Sequence, residues 1–326
     1  MNANTYYPGL DLLKFILAIL IIAAHTQLFE EIPILHQLIA PIKESAVPTF
    51  FAISAYLFVQ RINNCNNNYE SGIILKKNIK RLLTIFCIWY ILMLPMTYFR
   101  FFSVANLKET VYAILLSCTF NGYWFFKALI INTIILYYCR SKNKLLISSI
   151  VFFFVYIFWS YNYIFNYYSI NISPYYSFYY HTFYFYIGAL MAHYERSLGN
   201  PKTSITFILY IIVILLSLNA VLFPIGRLLI PCILIILFKN FAQSFNQQIL
   251  LKMRTLSILL YVTQFIIIWI YNNLCNYYLN HTSEIYQILQ YSVTRFIVVL
   301  SIALGFSLLI LRLEKKPSLS FLKKLH

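Results

Sequence analysis

The chain has 326 residues, 61% of them hydrophobic and only 10% charged, with a formal net charge of +16. A soluble domain carries about 25% charged residues, so this composition excludes an ordinary water-soluble protein. The basic excess would suit a nucleic-acid binder, but its distribution argues against that partner.

Ten apolar stretches are long enough, or nearly so, to cross a bilayer, which takes about 20 residues each. They lie at about 10–29, 45–60, 81–99, 123–139, 145–163, 176–194, 203–222, 225–241, 256–275 and 291–311. No gap between them is long enough for a globular domain. The expectation is an all-α polytopic membrane protein with about ten transmembrane helices. Residues 1–326 would form a single membrane-embedded domain with no separate soluble domain.

The first stretch carries side chains that a plain anchor lacks. Asp11, Lys14 and His25 lie in or at the ends of an otherwise apolar run from Gly9. Ionisable groups are costly in hydrocarbon and mark candidate sites or pathways. Lys14 and His25 are eleven residues apart, which at about 100° per residue returns to within roughly 20° of the start. By the same arithmetic Asp11 falls within about 60° of both, so all three share one face. Lys14 and His25 stand roughly 16 Å apart along the axis. Lys14 has a bland reading as a snorkelling residue, and Asp11–Lys14 at i,i+3 as a structural ion pair. His25 is either a buried imidazole bonded to a neighbouring helix or a reacting group.

The second stretch opens Val47-Pro48-Thr49-Phe50-Phe51-Ala52-Ile53-Ser54-Ala55-Tyr56. The third is entered by the basic pair Lys80-Arg81 and runs to Trp89. The fourth begins Trp124-Phe125-Phe126, with Lys127 just inside it, and the sixth holds His181 and an aromatic run ending at Gly188. Only the short Phe223-Pro224 region divides the seventh from the eighth. The ninth reads Leu256-Ser257-Ile258-Leu259-Leu260-Tyr261-Val262-Thr263-Gln264. Arg227 and Arg295 fall near outer ends, where snorkelling is expected. Trp124 is expected in an interfacial belt, and Ser54 and Tyr56 as packing groups.

With a cytoplasmic amino terminus, the inner loops and tail hold eighteen Lys and Arg, and the outer side holds four: Lys43, Arg100, Lys108 and Arg227. This is a strong positive-inside pattern, and it places both termini in the cytoplasm. The cations therefore report topology, with attraction to anionic lipid second, and nucleic acid is not an expected partner. The six cysteines show no C-x-x-C spacing, and no metal site is expected.

These motifs, in this order, resemble the acyltransferase-3 superfamily of integral-membrane acyltransferases, which O-acylate bacterial surface glycans and related molecules. That family opens with Arg, ten residues, then His; here Lys14 and His25 hold those places. The Val47–Tyr56 run, the basic pair before Trp89, Trp124-Phe125, the aromatic run ending at Gly188 and the stretch ending at Gln264 follow in the family's order. Lys14 departs from the family's Arg, Ala55 from its Gly and Gln264 from a frequent His.

The resemblance implies an acyl-CoA-dependent O-acyltransferase of the inner (cytoplasmic) membrane. An acetyl or other short acyl group would pass from acyl-CoA to a hydroxyl of a sugar or glycan acceptor. His25 is then the catalytic residue, as general base or acyl relay. Asp11, Lys14, Ser54, Lys80 and Arg81 become donor-binding or site-supporting residues, and Trp124, Lys127 and His181 acceptor-side candidates. No tightly bound cofactor is implied; acetyl-CoA or another acyl-CoA is a cosubstrate, and the bilayer is the lasting partner. The rival reading is a transporter or flippase using Asp11, Lys14 and His25 as an intramembrane polar pathway.

Overall fold

A computed structural model of the chain describes residues 7–101, 124–165, 178–195, 203–219, 221–239, 241, 245–278 and 283–326. Lys108 lies outside them, and only the backbone of Arg100 is described. Among the described residues the secondary structure is helical throughout, with no strand. The helices are α1 Pro8–His25, α2 Pro33–Glu44, α3 Ala46–Asn63, α4 Asn68–Phe101, α5 Trp124–Tyr138 and α6 Lys142–Phe165. They continue with α7 Phe178–His193, α8 Thr203–Leu216, α9 Phe223–Lys239, α10 Gln247–Tyr278, α11 Glu284–Gln290 and α12 Ser292–Leu313. A 3-10 segment, Pro317–Leu325, ends the chain.

Each predicted apolar stretch coincides with one of these helices, whereas α2 and α11 fall in segments read as connections. Among the described residues five helices are long and apolar enough to cross a membrane: Pro8–His25, the near-continuous Pro33–Asn63, Lys142–Tyr161, Gln247–Tyr277 and Ser292–Leu313. The stretches at 123–139 and 203–222 form shorter apolar helices of 15 and 14 residues. The described residues are thus all-helical, with five helices apolar enough to span a membrane.

The described residues divide into two compact units, one within Pro48–Leu237, the other of Tyr7–Val47 and Phe238–His326. In the second unit α1 lies along α10, α10 along α12, and α12 also meets α1. Leu10, Leu13, Leu17 and Ile21 form the buried stripe of α1, at the three- and four-residue steps that a helix face requires. Val299, Ala303, Ser307 and Ile310 do the same for α12, while Ile297, Ile302, Phe306 and Leu309 remain exposed as a lipid-compatible face. A Cβ at Gly9 would lie 1.8 Å from the carbonyl oxygen of Phe238, so only glycine lets the start of α1 approach that backbone.

In the first unit α7 packs on α5 and α6, and α5 on α4. A Cβ at Gly188 would lie 1.9 Å from the Ala52 carbonyl oxygen, which sets α7 tightly on α3. Burial here is largely aromatic, with Phe51, Trp124, Phe125, Tyr156, Tyr184 and Tyr186 all in the core. Two of the buried hydroxyls are tied down: Tyr184 donates to Tyr156 at 3.0 Å, and Tyr156 to the Pro224 carbonyl at 2.8 Å.

Candidate active site

The polar face predicted for α1 sits on one unbroken helix. Pro8 occupies its first turn, where a missing N–H costs nothing, and Asp11 follows in the same turn, where a carboxylate suits the helix dipole. The Lys14 Nζ lies 3.3 Å from Asp11 Oδ1, and the two side chains are only 15% and 5% exposed. The other carboxylate oxygen, Oδ2, is buried with no hydrogen-bond partner among the described residues. A carboxylate so placed depends on its cation. The ion-pair role weighed for Lys14 is therefore realised, and its charge answers Asp11 first.

His25 is the last residue of α1. Ile21, Ile22, Ala23 and Thr26 around it are buried, yet His25 itself is exposed. One side of the ring is held by Phe265 of α10, edge to face at 4.9 Å between centroids. The next residue on α10 towards its start is Gln264, fully buried, whose Nε2 donates to the Tyr261 carbonyl at 3.1 Å while Oε1 has no partner among the described residues. His25 thus ends α1 with one ring contact to α10, at the opposite end of the helix from Asp11 and Lys14.

The backbone just past His25 is unusual. Gln27 and Phe29 have φ of 55° and 67°, the left-handed region that side chains other than glycine avoid at about 1–2 kcal/mol each. Gln27 closes α1 in a Schellman turn: its N–H reaches the Ala24 carbonyl at 3.2 Å, and the Leu28 N–H reaches that of Ala23 at 2.9 Å. The turn is fastened from outside. Lys43, buried in α2, donates to the Leu28 carbonyl at 3.1 Å. Ser292, the first residue of α12, accepts from the Phe29 N–H at 3.0 Å. The Ser292 N–H in turn donates to Glu31 Oε1 at 2.7 Å, and its hydroxyl to Glu31 Oε2. Arg295 approaches Glu30 at 3.9 Å. Burial alone would raise the Glu31 carboxyl, but the bonds from Ser292 and the charge of Arg295 outweigh it and hold the group below its ordinary range.

The remaining predicted residues belong to the first unit. Ser54 donates to the Phe50 carbonyl at 2.7 Å on its own helix, the back-bonded state of a packing residue. Lys80 and Arg81 are exposed on α4, together with Lys76 and Lys77. Trp124 is buried, not spread on an interface as expected. It meets buried His181 at 4.6 Å, and Phe51 stacks on the same imidazole at 5.3 Å with 11° between planes. Lys127 stands one turn along α5 from Trp124 and is half-buried. The structure thus joins Trp124 and His181, which the sequence named separately, inside an aromatic cluster with Asn132 and Thr182 close along the same helices. The Thr182 hydroxyl donates to Asn132 Oδ1 at 2.7 Å. Arg227, expected to snorkel, is buried in the protein with its guanidinium 5.4 Å from the Phe223 ring. Sequence reasoning missed Glu31, Ser292 and Phe265. A signal existed for the first, since Glu30-Glu31 is an adjacent pair in a chain with nine acidic residues.

Among the described residues the fold is helical with membrane-length apolar helices, and one exposed histidine, His25, ends the first of them. A family model described as an acyltransferase domain matches residues 7–312, and the chain belongs to the acyltransferase-3 family. An Enterococcus faecalis protein named amino-acid racemase is 30% identical over 163 residues, covering 47% of this chain and 22% of that protein. The chain spans about a fifth of that relative's length, so the printed activity is said of the relative alone. No solved structure matches the chain.

Proposed function

We propose that the protein is an O-acyltransferase that carries an acetyl or other short acyl group from acyl-CoA to a hydroxyl of a surface glycan or related sugar. It would work as a single ten-span domain in the cytoplasmic membrane with both termini inside. The observation that carries this reading is His25, the exposed ring at the far end of α1 from the buried Asp11–Lys14 pair, at the family's histidine position. His25 takes the proton of the acceptor hydroxyl. The hydroxyl oxygen then attacks the thioester carbonyl, the carbon–sulfur bond breaks, and coenzyme A leaves as its thiolate, which regains a proton from the imidazolium. Each proton transfer of this kind contributes about 10²–10⁴-fold.

Lys14, near the inner end, would set the entry of the donor, and the exposed run Lys76, Lys77, Lys80 and Arg81 would offer cations to its phosphates. Trp124, Lys127 and His181 remain the acceptor-side candidates. The transport alternative finds no support, since Asp11 and Lys14 neutralise each other and the family is one of acyltransferases. Comparing ester-linked acetate on surface glycan from cells with and without the gene tests the reading. Loss of acetate on deletion, restored by the gene, is the expected result; an unchanged acetate content overturns the glycan assignment.

A further inference from the structure

We propose that Glu31 and Ser292 form a clamp that positions His25, by pinning the turn after α1 to the first turn of α12. The proposal rests on the reading of His25 as the reacting imidazole.

The turn has backbone bonds of its own, from Gln27, Leu28, Glu30 and Ile32, but they do not fix it alone. Two of its residues, Gln27 and Phe29, have left-handed backbone without being glycine, so local preference works against the observed path. External bonds add to its own and favour the observed path. Three are present, at the Leu28 carbonyl, at the Phe29 N–H and through the Glu31 side chain. Two of the three pass through Ser292, which is fully buried. Ser292 is well suited to the task. Its hydroxyl accepts from Phe29 and donates to Glu31, so both of its roles are used within this turn. Its N–H is one of the four at a helix start that lack an intrahelical acceptor, and the Glu31 carboxylate supplies one. A carboxylate at this end also matches the positive pole of α12.

His25 stands two residues before Gln27 and shares its Schellman turn with the bonds from Ala23 and Ala24. Phe265 limits the ring from α10, and the clamp limits the backbone from α12. A base held on two sides keeps the separation that proton transfer needs, and a misplacement of about 1 Å can cost about 10²-fold in rate. Glu31 and Ser292 touch no reactant in this scheme; they act through the turn.

The test uses the full-length protein in lipid nanodiscs, with labelled acetyl-CoA and acceptor glycan. Glu31→Gln keeps size and one acceptor oxygen but cannot accept from both donors of Ser292. It is expected to lower kcat at least about tenfold, within the range a misplaced base allows, with KM for acetyl-CoA unchanged. Ser292→Thr, which retains the hydroxyl, should stay near wild type, and Ser292→Ala should follow Glu31→Gln. A second readout does not need catalysis. In histidine-labelled protein, the ring signal assigned to His25 by its loss in His25→Gln should move in Glu31→Gln and stay in place in Glu70→Gln. The clamp is overturned if Glu31→Gln leaves both kcat and the His25 signal unchanged, or if abundance falls while normalised kcat holds. If His25→Gln itself retains activity, the catalytic reading fails. The ring signal then still decides whether the clamp sets the histidine.

Discussion

Removing the Lys14 ammonium tests the Asp11–Lys14 pair most sharply. Lys14→Met leaves a carboxylate that is 5% exposed, has lost the cation 3.3 Å away, and has one oxygen already without a partner among the described residues. Breaking a buried pair from one side costs about 3–5 kcal/mol. Lys14 keeps 15% exposure, so water relieves part of this, and the lower end, about 3 kcal/mol, is expected. Against a total of about 5–15 kcal/mol such a loss is large. The double variant Asp11→Asn with Lys14→Met removes both charges and should recover most of the stability. Lys14→Arg should keep both fold and activity. The assay is thermal denaturation in detergent micelles, read as the fraction of folded protein on size exclusion, followed by initial rates against acyl-CoA concentration. A Lys14→Met protein as stable as wild type, or a double variant no better than the single, would refute the pairing argument. A stable double variant with a raised KM for acyl-CoA would show that the charge also serves the donor.

Gly188→Ala should destabilise by about 1–3 kcal/mol or more, because its new methyl meets the Ala52 backbone, which has no flexible end to yield; the same thermal assay reads it. The Glu31 carboxyl is held below its ordinary value of 4.5, so its contribution is complete above that pH and fades as pH falls through the depressed value. Wild type should therefore lose stability between about pH 4.5 and the acid limit more steeply than Glu31→Gln; parallel acid titrations would contradict this. Reporter fusions after residues 70, 142, 198 and 246 should all report the cytoplasm, and an external signal at 70 or 142 would reverse the proposed orientation.

The helices were legible because each is a long apolar run, and apolar runs need no partner to declare themselves. The face of α1 was legible too, since a fixed angle per residue places Asp11, Lys14 and His25 without knowledge of any neighbour. Trp124 was not. Its helix is apolar all round, so no stripe marks the side that faces protein, and an interfacial belt was the natural expectation for a residue that is in fact buried. Ser54, read from the sequence as a packing group, bonds back to its own helix at the Phe50 carbonyl, as such a group does. The clamp was hidden for another reason. Glu31 and Ser292 lie 261 positions apart, and nothing local to either names the other. The helices α2 and α11 have 12 and 7 residues, too few to span a bilayer, so they fell among the connections.

The central claim is that His25 performs the chemistry of acyl transfer. The most direct measurement is labelled-acyl transfer from acyl-CoA to purified surface glycan by His25→Ala, normalised to membrane-inserted protein. His25 ends α1 and is exposed, with Phe265 against its ring, so its loss should leave insertion and abundance near wild type. Normalised transfer should fall by about 10²–10⁴-fold, the usual cost of losing a general base. Transfer within a few-fold of wild type would contradict the account, and the mechanism built on this residue would fall with it.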